Sequence, residues 1–183
     1  MDLPMIAFEL EGENGSVSLE ISEVFGFPDE TAYGGGYGAC GRLEIHAGNC
    51  TVSTTHYFTT GELNCFEKEL EHCYAPLHGE ATLYNNTEFQ LELALTFDKL
   101  GHVVIVGRYS EQLSGTNTLD FEIATDQTYI PKALSQLRRV AAVFGDHSQD
   151  WHPPTPISPQ ALRAYSLKQR LRFMLLRFNR MMM

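Results

Sequence analysis

The side chains from which a reaction centre could be built are seven histidines, four cysteines and 23 carboxylates. Their spacing does not assemble one. Structural zinc sites carry closely spaced ligands such as CxxC or HExxH. Neither pattern occurs here, and no HxH does, although His46, His56, His72, Cys73 and His78 lie within one stretch. Cys65 and Cys73 fall at helical spacing and read as core thiols. A retaining glycosidase needs two carboxyls about 5 Å apart, and nothing singles out such a pair. No GxSxG nucleophile elbow is present. The cluster Gly34-Gly35-Gly36-Tyr37-Gly38 lacks a following Gly-Lys-Ser/Thr and opens no apparent helix, so it makes a poor phosphate cradle. It reads as a loop whose tyrosines, Tyr33 and Tyr37, are candidate contact anchors, because exposed tyrosine suits interfaces. The expectation is therefore no catalytic residues, no metal and no cofactor. The one enzymatic route left open is a Cys–His or His–carboxylate pair created only by folding.

Charge is the more informative feature. Residues 1–150 hold all 23 acids and 7 of the bases, a net of −16; residues 151–183 hold six bases (Arg163, Lys168, Arg170, Arg172, Arg177, Arg180) and no acid. A body this acidic repels nucleic acid and anionic membrane and attracts cationic partners. The chain thus divides into an acidic domain over 1–150, a proline-rich linker over 151–160 and a basic amphipathic tail over 161–183. In the tail Leu167, Leu171, Met174, Leu175 and Phe178 fall at helical steps. Its own body, another subunit and a membrane surface are the tail's candidate partners.

The elements that must position these groups follow from periodicity. Ile6, Phe8 and Leu10 alternate with Ala7, Glu9 and Glu11; Val17, Leu19 and Ile21 alternate with Ser18, Glu20 and Ser22. Leu43, Ile45 and Ala47, then Val52, Thr54, His56 and Phe58, complete four strands, each with one buried and one wet face. A turn at Gly48-Asn49 would set Cys40 opposite Tyr57. The period then lengthens: Leu63, Phe66, Leu70, Cys73, Tyr74 and Leu77 form a helical stripe, capped by Thr59 or Thr60 with Glu62 in the first turn. The same order returns with strands near Glu80–Tyr84, Phe89–Phe97, Val103–Tyr109 and Leu119–Ile123. A second helix follows, capped by Thr125 or Asp126 and striped by Ile130, Leu134, Leu137, Ala141 and Phe144. Pro131 lies in its first turns and Gly145 ends it.

The resulting expectation is an α+β two-layer sandwich in ββββα-ββββα order. It has one antiparallel sheet of about eight strands, two helices on one face, and a C-terminal basic amphipathic helix. Wet-face positions include Glu9, Glu11, Glu20, Glu44, Glu92, Asp120 and Glu122. Of these, Glu44, Glu92, Asp120 and Glu122 are expected to face a partner, subject to strand register. No long apolar run and no signal-peptide pattern lead to a cytoplasmic expectation, with all four cysteines reduced.

Several segments together resemble a known family. They are Phe25-Gly26-Phe27-Pro28-Asp29-Glu30-Thr31 with Tyr33-Gly34-Gly35-Gly36-Tyr37; Gly61-Glu62-Leu63 through Leu70, Cys73-Tyr74, Leu77 and Gly79-Glu80-Ala81; and Gly101-His102 with Gly107-Arg108-Tyr109. The most distinctive is Leu119-Asp120-Phe121-Glu122 joined to Thr125-Asp126-Gln127-Thr128-Tyr129-Ile130, then Leu137 and Phe144-Gly145. Over roughly residues 16–146 the chain resembles the WapI-type family of small bacterial immunity proteins. The resemblance implies a non-enzymatic protein that binds and neutralises a cognate toxin domain of a polymorphic, contact-dependent toxin. It supplies no catalytic residues, and the tail after Asp150 lies outside it. The competing class is a non-enzymatic adaptor whose tail mediates oligomerisation or membrane-surface association.

Overall fold

The computed structural model describes residues 2–84, 90–111 and 117–150. The linker and tail expected over 151–183 lie outside the described residues, as does Phe89. The element order is β1 (Met5–Gly12), β2 (Gly15–Phe25), β3 (Gly38–Ala47), β4 (Cys50–Thr59) and α1 (Thr60–Tyr74), then β5 (Gly79–Tyr84), β6 (Leu91–Phe97), β7 (His102–Ser110), β8 (Thr118–Asp126) and α2 (Ile130–Phe144). No helix among the described residues is long and apolar enough to cross a membrane.

Alternation sets these strands. Val17, Leu19 and Ile21 of β2 pair with Ile45, Leu43 and Gly41 of β3, and all of these are buried. The β3–β4 hairpin turns at Gly48 (φ 58°) and Asn49 and runs without a register shift, placing Cys40 opposite Tyr57. β1 departs from simple alternation. A bulge between Ile6 and Phe8 turns Ala7 inward beside Phe8 and leaves Ile6 half-exposed, because one extra residue inverts the facing of what precedes it.

α1 starts directly off β4. Thr59 Oγ1 accepts from Glu62 N (3.2 Å) and Glu62 Oε2 accepts from Thr59 N (3.1 Å), a reciprocal capping box. α2 is entered differently from expectation. Thr125 and Asp126 remain in β8, which pairs with β7 as far as Asp126 opposite His102. The Asp126 carboxylate accepts from Thr128 N (2.7 Å) and Thr128 Oγ1 (2.6 Å). Tyr129 is the N-cap, without a side-chain cap bond, and Pro131 follows in the first turn. Within α2 the buried stripe is Ile130, Ala133, Leu134, Leu137, Val140 and Phe144.

The expected single sheet is two. β1-β2-β3-β4 and β5-β6-β7-β8 are separate four-stranded antiparallel meanders, sharing a hydrophobic core with both helices. The ladder that would have joined them is blocked at both edges. On β8, Ala124 N donates to Asn14 Oδ1 (3.2 Å), Asn14 Nδ2 donates to the Glu122 carbonyl (3.1 Å), and Glu13 N donates to the Ala124 carbonyl (2.9 Å). The β1–β2 turn thus occupies the place of a fifth strand beside β8. On β1, Glu9 N donates to Gln136 Oε1 of α2 (2.8 Å). The helices are exchanged in the same sense: α1 follows the first sheet but packs on β5 of the second, where Glu69 Oε2 accepts from Thr82 N (2.8 Å). α2 follows the second sheet and packs on β1 of the first.

Asn14 satisfies two backbone groups of β8 from an exposed turn. Asn14→Ala should therefore lower stability by about 1 kcal/mol. The expected signature is a reduced urea midpoint at unchanged m-value.

Candidate functional site

The wet faces of the two sheets carry the candidate binding residues. On the second sheet, register aligns Glu92, Arg108 and Asp120 across three strands. Arg108 grips Asp120 in a fork, Nε to Oδ1 at 2.6 Å and Nη2 to Oδ2 at 3.1 Å. The Arg108 side chain is only 15% exposed, against 43% for Asp120. Burial pushes the Glu92 carboxyl above the usual carboxylate range; the Arg108 charge opposes the rise and Asp120 adds to it. Glu122 lies in the next outward row of β8, opposite Val106, and is exposed.

On the first sheet, Glu44 sits between Ser18 and Ser53, one row from Glu20, Arg42 and Thr55. Arg42 Nη2 approaches Glu44 Oε1 at 2.8 Å in a largely solvated pair. Glu9 and Glu11 meet a cation from α2: Lys132 Nζ lies 2.7 Å and 2.6 Å from their carboxylates. The expected acidic faces are therefore laced with the chain's own bases. Of the four candidate carboxylates, Glu122 has no ion-pair partner among the described residues, and Glu44 has only an exposed one. Glu92 and Asp120 form one unit with Arg108.

The two tyrosines separate. Tyr33 is fully exposed at 109%. Tyr37, expected to be exposed with it, is buried at 7%. Its ring meets Phe27 (5.0 Å) and His147 (5.1 Å) edge-to-face, and its hydroxyl donates to the Pro28 carbonyl (3.1 Å). The glycine loop lies against the start of α1, where Tyr37 N donates to Thr60 Oγ1 (2.9 Å). A Cβ on Gly36 (φ 68°) would stand 2.4 Å from that oxygen, so glycine is needed for close approach. Phe25 and Phe27, both partly exposed, join Tyr33 as surface aromatics that alternation alone did not reveal.

Among the described residues histidines and cysteines do not converge, and His147 Nδ1 lies 3.0 Å from the exposed Asp150 carboxylate. His46 faces outward, its Nδ1 3.3 Å from Thr51 Oγ1, while His56 on the neighbouring strand is 1% exposed. Among the described residues no group of three His, Cys, Asp or Glu is arranged to hold a metal ion. Burial, together with nearby Glu69, Asp146 and Glu62, pushes the Cys65 thiol up to about 12. Cys40 and Cys73 are raised too, chiefly by burial. A thiol held this high is a poor nucleophile.

With this geometry, comparison with known proteins becomes informative. Residues 7–145 match the model of the immunity protein WapI-like family. The chain belongs to that family. The matched span covers both sheets and both helices, so the family is defined by the whole body and not by one motif. No curated protein matches the chain. Membership assigns an immunity role.

Proposed function

We propose that this protein binds a cognate bacterial toxin domain and neutralises it by occlusion in the cytoplasm, without catalysis. Family membership over residues 7–145 carries the reading. The body's net charge of −16 supports it, because such a field speeds the approach of a basic toxin and sets its orientation. Final affinity would come from a few desolvated anchors; the exposed rings of Tyr33 and Phe25 support this reading.

The test is binding to the purified cognate toxin domain, inactivated at its catalytic residue. Glu44→Lys combined with Glu122→Lys should slow association about tenfold at low ionic strength, and added salt should narrow the gap. Stability should hardly move, since only one exposed ion pair is lost. Association that ignores both the substitutions and the salt would defeat electrostatic steering.

A further inference from the structure

Three of the four sheet edges are sealed. β1 is bonded by Gln136, β5 by Glu69, and β8 by Glu13 and Asn14. On the fourth, the side of β4 away from β3, the stretch Thr51–Thr55 is open among the described residues. Apart from a local bond from Thr54 Oγ1 to the Thr55 carbonyl (3.3 Å), no hydrogen bond among the described residues reaches that edge over Thr51–Thr55. In an antiparallel pair, alternate residues turn their N–H and C=O groups away from the partner strand. Over Thr51–Thr55, among the described residues, β4 therefore presents outward backbone groups that no neighbouring strand uses.

Native sheets protect such an edge with charge, proline or a bulge. β4 has none. No charged residue lies between Glu44 and Glu62, no proline falls in the strand, and its register with β3 is unbroken. Thr51, Val52, Thr54 and Thr55 are β-branched, the residue type best suited to an extended, pleated partner.

The surroundings of β4 narrow the choice of occupant. An open cleft of about 360 Å³ runs beside Thr51–Thr54 and is walled by Tyr109, Glu111, Asn117, Thr118 and Leu119. An extended segment lying along this edge would set the side chains of one face beside Tyr109 and Leu119. A second copy of this chain is disfavoured, because two bodies of net −16 repel one another. A neutral or basic strand is not repelled. We infer that β4 takes an extended segment of the toxin as a fifth strand of the first sheet. This rests on the toxin-neutralising reading and deepens it by naming the contact. Backbone bonds would supply affinity, and the cleft would select alternate side chains.

The experiment uses the full chain and the inactivated toxin domain, with amide hydrogen exchange as the primary readout. Amides of Thr51–Thr55 that exchange freely in the unbound protein should be slowed at least about 100-fold in the complex. Ser53→Pro, which adds a ring where the new strand must approach and removes an N–H, should weaken binding about 100-fold, while Ser53→Ala stays within about threefold. The exchange measurement on the unaltered chain decides the matter even if Ser53→Pro does not fold. A tight complex whose Thr51–Thr55 amides exchange as fast as in the free protein overturns the edge pairing and leaves the immunity reading intact. No binding of the unaltered chain at all overturns both. Protection that appears on self-association without toxin gives the edge to a second copy and overturns the assignment.

Discussion

Arg108→Met should lower the stability of this fold by roughly 2 kcal/mol, despite replacing a strand residue on the wet face. The reason lies in the row Glu92–Arg108–Asp120. The guanidinium is mostly buried, and its two short bonds neutralise Asp120 while its charge offsets the desolvation of Glu92. Without it, two carboxylates flank the same position of β7, one from β6 and one from β8, with no cation between them. The cost stays below that of a fully buried pair because Asp120 keeps 43% of its side chain in water. Urea titrations of Arg108→Met and of Arg108→Met/Asp120→Asn provide the check: the second change should restore much of the loss. Glu92 supplies a further signature. Its carboxyl is held above the usual range, so the folded state binds its proton more tightly than the unfolded chain. That contribution is present below the unfolded pKa and is lost as pH rises through the folded one. Glu92→Gln should consequently be neutral or stabilising at pH 7. Equal stability of Arg108→Met and the unaltered protein would show that this row is not a charge unit.

This row also shows what was legible in the sequence. Alternation placed Glu92, Asp120 and Glu122 on the wet faces, and register does so. Arg108 shares the phase of Val106 and Ser110 and alternates with Gly107 and Tyr109, so its face was readable. Its pairing was not, because strand neighbours are set by long-range register and not by charge summed along the chain. The start of α1 was legible to within one residue, Thr59 or Thr60 with Glu62 in the first turn; the reciprocal bond between Glu62 and Thr59 came from the structure. The division into two sheets was not: it depends on Asn14 and Gln136 meeting strands more than 100 residues away. Tyr37 was misread for the same kind of reason, its burial being completed by His147 from the far end of the body. Local periodicity specifies elements. Which edges stay open, and which charges cancel, is decided by tertiary contacts with no local signature.

The largest pH effect should come from His56. Its ring is 1% exposed, stacked at 6.1 Å on Phe58, with Nδ1 3.4 Å from Gln90 Oε1. Burial lowers its pKa to about 4, and the Gln90 bond opposes that shift only in part. In the unfolded chain the imidazole returns to about 6.5. Between these values the unfolded state binds the extra proton, so stability is complete above about 6.5 and is lost as pH falls toward 4. The full loss is about 3 kcal/mol. His56→Leu should abolish that loss while keeping the core filled, and the measurement is the difference in unfolding free energy between the two proteins at pH 7 and pH 4.5. Taking the difference cancels Glu92, which acts in the opposite direction, and Asp126 and Asp146, whose lowered pKa values place their losses at still lower pH. A parallel pH dependence in the two proteins would rule out His56 as the acid-sensitive group. The consequence reaches β4 directly. His56 and Phe58 are the inward anchors of the strand whose other edge is open. Acid should therefore loosen β4 together with its binding edge, and toxin affinity should fall with pH over the same window in the unaltered protein but not in His56→Leu.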